Sequence, residues 1–192
     1  LGLQRAELNE KALDAFFTLG YVPSPETMFR GIYKLEPGHF LRVNSEGVFD
    51  TLYWDFADAG LNPIQESDAI DLVDSILEDA VRRCLVSDVS LGTFLSGGLD
   101  SSAVVGLMSR CGIQPIHTFT SGFAGDDEIS EERWANLVAE RFNCDHTVEH
   151  LAAEDFWESL ETLIKHTEEP LVEPSGVALY SLSKAARSKV KV

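Results

Sequence analysis

Cysteine is scarce in this 192-residue chain: Cys84, Cys111 and Cys144, an odd number set far apart. With no C-x-x-C pair, neither a zinc site nor a redox couple has its ligands, and the thiols read as reduced, as in a cytosolic protein. Cys84 falls on the apolar face of an expected helix and reads as a buried small hydrophobe. Long apolar runs are missing too. None approaches the ~20 residues that span a bilayer, and Leu1-Gly2-Leu3-Gln4-Arg5 does not open a signal segment. Basic residues number 15 against 32 acidic, a formal charge of −17, which argues against nucleic acid as an electrostatic partner. What is left is a soluble, cytoplasmic globular protein with no membrane or nucleic-acid partner. Its 44% apolar residues suffice for a core.

The pattern changes character around residues 55–67. Before it, Ala12, Leu13, Phe16, Phe17 and Leu19 fall on a short helix that stops at Gly20, because Tyr21-Val22-Pro23-Ser24-Pro25 cannot continue it. Phe40-Leu41-Arg42-Val43 and Val48-Phe49 flank Asn44-Ser45-Glu46-Gly47, a β-hairpin pattern. After the boundary, Ser67 is a good N-cap for a long amphipathic helix carrying Ile70, Val73, Leu77, Ala80, Val81, Cys84 and Leu85. Alternation follows: strand 89–95, helix 100–110, strand 116–120, helix 130–142, strand 146–151, then helices over about 154–166 and 175–189. Val190-Lys191-Val192 reads as the opening of another strand. Strands alternating with helices predict an α/β fold with a doubly wound parallel sheet, with domains 1–58 and 59–192.

Between strand 89–95 and helix 100–110 stands Ser96-Gly97-Gly98-Leu99-Asp100-Ser101-Ser102. In an open parallel sheet, ligands bind at the carboxyl ends of strands, where this loop lies. Two glycines admit a bulky anion close to the backbone, and the free N–H groups of a helix start cradle phosphate without a lysine. An acidic chain can hold a polyphosphate in this way. Ser96, Ser101 and Ser102 add hydroxyl donors. Asp100 would repel phosphate unless Mg²⁺ lies between them, which assigns it to the metal. No Gly-Lys-Ser/Thr string makes this a Walker loop, no G-x-G-x-x-G occurs, and Ser96 follows Phe94-Leu95 and so sits in no nucleophile elbow.

That seven-residue string resembles the pyrophosphate loop of the PP-loop ATP pyrophosphatases, and its surroundings resemble the glutamine-dependent asparagine synthetase branch. Phe17-Thr18-Leu19-Gly20-Tyr21-Val22-Pro23, Phe29 to His39 (with Lys34-Leu35-Glu36-Pro37-Gly38) and Tyr53-Trp54-Asp55 are similar to the last part of that family's glutaminase domain and the link after it. Glu168-Glu169-Pro170, Pro174-Ser175 and the following helix resemble the segment before its second ATP loop. The resemblance implies ATP and Mg²⁺ as cofactors. Leu95 would meet the nucleotide through its backbone, Ser96, Gly97, Gly98, Asp100 and Ser101 would hold pyrophosphate, and Ser121 would sit on the adenine side. Glu169 and Ser175 would lie near the acceptor carboxylate. The implied substrates are ATP, aspartate and glutamine-derived ammonia, the implied product asparagine, and a homodimer is compatible with it.

Two departures shape the expectation. Residue 1 is Leu where the family carries its nucleophilic cysteine, and the family's second loop and catalytic lysine would follow Val192. The expected segment is cut at both ends, with half an ATP site, no glutaminase site and no catalytic residue of its own. Two other readings stay open: an amidotransferase with another acceptor, of a surface-polysaccharide, peptide or β-lactam-forming pathway, or a module that binds ATP without turnover. Other residues receive bland roles. His146 and His150 are four apart, about 13 Å on a strand and too far for one metal. His39, His117 and His166 have no partner pattern. Asp126, Asp127 and Glu128 complement a helix start, and Trp134, Phe156 and Trp157 fall at core spacing.

Overall fold

The computed structural model describes residues 7–58, 60, 63–123, 131–167, 169–173 and 175–191. The chain divides into two compact units, one drawn from residues 1–63 and 167–172, the other from 64–166 and 173–192.

In the first unit α1 (Glu10–Leu19) starts on the Asn9 side chain, which accepts from the Ala12 N–H, and ends at Gly20, φ +81°, whose N–H donates to Phe16 O at 2.8 Å. Glycine takes this left-handed cap without a Cβ penalty, so the expected stop at Gly20 holds. Ala12, Val22 and Met28 form the small core beneath it, with Leu13, Phe16 and Phe29. The hairpin also forms: β1 (His39–Asn44) pairs antiparallel with β2 (Gly47–Leu52), closing from Asn44 to Gly47.

The second unit carries the parallel sheet, in the order β3 (Gly92–Phe94), β4 (His117–Phe123), β5 (Asp145–Leu151). Residues Ile116 and Phe119, three apart, point to opposite faces. On one side Ile116 and Leu95 pack with Val105 and Met108 of α3 (Leu99–Arg110) and with Ala135 and Ala139 of α4 (Glu132–Arg141). On the other, Phe119 packs with Leu182, Ala186 and Val190, the first two on α6 (Ser175–Lys189). Helices on both faces make the α/β, doubly wound arrangement that the alternation predicts. Val105 has no exposed surface, so Val105→Ala should lower stability by about 2 kcal/mol from lost transfer energy and residual cavity, measured by urea unfolding.

Several local expectations need correcting. The helix before the sheet, α2 (Glu66–Cys84), is capped at Gln65 and not at Ser67, with no side-chain cap bond. It is held along its own length by Glu78–Arg82 at 2.6 Å and Asp79–Arg83 at 2.7 Å, pairs four apart on one helix face. Arg110 ties it to α3, 2.7 Å from Asp74 and 2.5 Å from Glu78; that guanidinium holds the Asp74 carboxyl below its ordinary range. No residue of α2 is buried, and Cys84 is exposed, not a core thiol. Trp134 and Trp157 are likewise 56% and 71% exposed and pack in no core. Strand β3 is three residues long, because Val89 is already 43% exposed outside the ladder. Just past α6 the Val190 N–H donates to Ala186 O at 2.9 Å and the Lys191 N–H to Ser90 O at 3.0 Å; these two residues form no strand, and Val192, the rest of the expected one, lies outside the described residues. α5 (Ala153–Thr167) matches its expected span closely.

Candidate nucleotide site

Leu95 follows β3 directly, and its N–H extends the ladder to Phe119 O at 2.8 Å. Its carbonyl accepts from Thr120 Oγ1. Both backbone groups of Leu95 are therefore engaged in the sheet, leaving one carbonyl lone pair for a nucleotide. The chain then turns sharply. Gly97 has φ +79°, and a Cβ there would lie 2.5 Å from the backbone of Trp134 and Ala135, so the loop rests against the first turn of α4. Only glycine satisfies both the conformation and the close approach.

The serines shape this turn from within. Ser96 Oγ lies 3.0 Å from Ser101 Oγ and accepts from the Gly98 N–H at 3.2 Å, while Ser101 Oγ accepts from the Ser96 N–H at 3.2 Å. Ser102 Oγ donates to Gly98 O at 2.6 Å. Gly98, the N-cap of α3, has no side chain to offer. The N–H groups of Leu99, Asp100 and Ser101 consequently have no bonded acceptor among the described residues. Three outward donors at the positive end of a 12-residue helix form an anion cradle. Asp100 is exposed in this first turn.

Among the described residues no group of three or more His, Cys, Asp or Glu is arranged to hold a metal. Asp100 would thus supply a single ligand, and Mg²⁺ at such sites typically completes its shell with phosphate oxygens and water. The donor set fits magnesium polyphosphate: an oxygen ligand, uncommitted N–H groups and hydroxyls.

Beside the loop, Leu95, Ser96, Thr120, Ser121, Glu131 and Leu182 line a small open cleft of about 90 Å³, well short of the roughly 300 Å³ at which drug-sized ligand sites begin. The structure therefore brings Leu95, Ser96 and Ser121 together, with Gly97, Gly98, Asp100 and Ser101 adjoining in the same loop. Ser121 lies on β4, in register with Glu149. Sequence reasoning missed Thr120 and Glu131. Thr120 shares a strand face with Thr118, a periodicity that would have found it, whereas nothing local marks Glu131. Glu169 belongs to the first unit, where it pairs with Lys34 at 2.5 Å. Ser175 is the exposed first residue of α6, its Oγ 3.5 Å from the Glu173 carboxylate. Asp126, Asp127, Glu128 and the helix cap expected at Ser130 lie outside the described residues.

The histidines have partners that spacing alone did not reveal. His39 Nδ1 lies 2.7 Å from Asp50, and His117 Nδ1 lies 2.9 Å from Asp145, which also meets Lys189 at 3.3 Å. Lys189, with help from His117, holds the Asp145 carboxyl below its ordinary range. His146 Nδ1 is 2.8 Å from Thr118 Oγ1, and its buried Nε2 has no bonded partner among the described residues. Burial pushes this imidazole below its ordinary 6.5, against a smaller opposing pull from Glu132. The unfolded chain takes up a proton near that value and the folded one does not, so this contribution is complete above it and lost as pH falls below. His146→Gln should flatten the dependence of stability on pH between about 5 and 7, measured by urea unfolding at stepped pH.

Comparison with known proteins bears on this site. The asparagine synthase family model matches residues 72–192, and a glutamine amidotransferase domain model matches residues 2–54. A Mycobacterium tuberculosis protein provisionally named a glutamine-hydrolysing asparagine synthetase is 34% identical over 190 residues, covering 97% of this chain and 29% of that protein. A second provisionally named synthetase, from Methanocaldococcus jannaschii, is 32% identical over 193 residues, covering 98% of this chain and 37% of its own. Asparagine synthetase 1 of Bacillus subtilis is 29% identical over 189 residues, at 97% and 29% coverage. The chain thus spans about a third of the length of these relatives. No helix among the described residues is long and apolar enough to cross a membrane. With its own family model matched over more than half its length, the chain belongs to the asparagine synthase family.

Proposed function

We propose that this chain carries the pyrophosphate-binding part of an ATP-dependent, amide-forming synthetase acting in the cytoplasm. Residues 59–192 would be the first part of its synthetase domain, and 1–58 the end of a glutaminase domain. The observation that carries this reading is the uncapped start of α3 behind Gly97, opening beside the cleft of Leu95, Ser96 and Ser121.

The acceptor, aspartate by family resemblance, attacks the α-phosphorus through a carboxylate oxygen. The bond from the α-phosphorus to its bridging oxygen breaks, and pyrophosphate leaves with the electron pair. The N–H groups of Leu99, Asp100 and Ser101 meet that growing charge, as preorganised donors do. Asp100 would hold Mg²⁺, which would supply positive charge beside the leaving pyrophosphate. Ammonia released from glutamine then attacks the activated carbonyl carbon, AMP departs, and asparagine forms. Ser121 orients the adenosine end. Glu169 is engaged by Lys34, which leaves Ser175 as the acceptor-side residue of the family pattern.

The test uses the intact protein that carries this chain, with ATP, Mg²⁺, aspartate and glutamine. AMP and pyrophosphate in equal amounts are expected. Release of ADP and phosphate, or nucleotide binding without turnover, would overturn the reading. Pyrophosphate release only with another carboxylate would move it to a related amidotransferase.

A further inference from the structure

We propose that Lys34 and Glu169 are a positioning pair that keeps ammonia supply and ATP use in step. The proposal deepens the function given above and rests on it. Lys34 lies in the stretch matching the amidotransferase model, and Glu169 in the stretch matching the asparagine synthase model. Their charged atoms are 2.5 Å apart, with side chains only 34% and 26% exposed.

Lys34 is held on more than one side. Its Nζ donates to Val22 O at 3.0 Å, on a residue that is itself 2% exposed, and its N–H donates to Pro25 O at 2.8 Å. Glu169 is held as well, its carbonyl accepting from Thr167 Oγ1 at 3.0 Å. Further along the same stretch, Val172 lies against Gly20 at the end of α1. The chain leaves the second unit after His166, lends residues 167–172 to the first, and returns at Glu173, two residues before α6.

α6 carries Leu182 into the nucleotide cleft beside Ser96 and Ser121. A displacement of residues 167–172, a strap running into α6, therefore has a covalent route to that cleft. Without Lys34 the Glu169 carboxylate would repel an acceptor carboxylate; with it, that charge is already committed within the pair. Held by Lys34, Glu169 sets where the acceptor side of the chain begins and need not touch the substrate. An ion pair that is partly solvated contributes modestly, so the strap can let go within a turnover cycle.

The experiment is a double-mutant cycle on the intact protein: Lys34→Met, Glu169→Gln and both together. Lys34→Met should lower glutamine-driven pyrophosphate release about fivefold, while release driven by added ammonium chloride stays within about twofold of wild type. The double variant should be no worse than the poorer single one, because each single change already breaks the pair. Hydrogen exchange at the amides of Glu169, Leu171 and Val172 should quicken in Lys34→Met, a readout that needs no activity. The proposal is overturned if ammonium-driven release falls as far as glutamine-driven release, if the losses simply multiply, or if strap exchange is unchanged. It is equally overturned if Glu169→Gln raises the aspartate KM and Lys34→Met does not. Wild-type protein that releases no pyrophosphate with ammonium would sink the function itself, leaving the exchange result to judge the pair.

Discussion

Gly97→Ala is expected to cost about 3 kcal/mol of stability, combining a left-handed alanine with overpacking, and to lower pyrophosphate release at least about 100-fold through misplacement of the loop. The reason is double. Gly97 sits at φ +79°, and a methyl group there would meet the Trp134 carbonyl carbon, the Trp134 Cβ and the Ala135 nitrogen, all at 2.5 Å. Two of those three atoms are backbone, so a rotamer change cannot relieve the contact; the loop or the first turn of α4 must move. Gly98→Ala is the control. Its φ is −67°, and its added Cβ would meet only Ser96 Oγ, at 3.2 Å. Urea unfolding and pyrophosphate release in the intact protein measure both variants. Equal stability for wild type and Gly97→Ala would show that the loop does not rest on α4.

Asp100→Asn should act on chemistry and leave the fold nearly untouched. Asp100 is exposed, and what the helix loses is one favourable charge in its first turn, worth about 0.5 kcal/mol. If its carboxylate holds Mg²⁺ against the phosphates, pyrophosphate release should fall by about 10²- to 10³-fold, the scale of losing one transition-state charge stabiliser. The Mg²⁺ concentration for half-maximal rate should rise as well. A variant with wild-type rate and unaltered Mg²⁺ dependence would remove Asp100 from the metal.

What could be read in advance was local. The Gly20 stop, the hairpin around Asn44 to Gly47 and the loop from Ser96 to Ser102 are each encoded within a few residues, by glycines and short polar side chains whose backbone preferences act alone. The alternation that predicts the α/β sheet is equally sequential. What stayed hidden depends on other parts of the chain. Periodicity says which face of α2 or α4 is apolar, but not whether anything covers it, and so Cys84 and Trp134 were misplaced in a core. Ser67 has cap chemistry, yet the N-cap is Gln65, two residues earlier, with no side-chain cap bond. Glu131 reaches the cleft only because α4 begins beside the end of β4, and Lys34 finds Glu169 from far along the chain. No window of sequence contains either fact.

The two faces of the sheet have different histories during synthesis. Leu95, Val105, Met108, Ile116, Ala135 and Ala139 span a short stretch of chain and can collapse together as soon as α4 has emerged from the ribosome. Phe119 must wait for Leu182, Ala186 and Val190. For the time it takes to translate the residues between α4 and the end of α6, several seconds at ~5–20 residues per second, the nascent sheet presents one bare apolar face. The phosphate loop lies on the side completed first, so its backbone is set before α6 brings Leu182 to close the cleft.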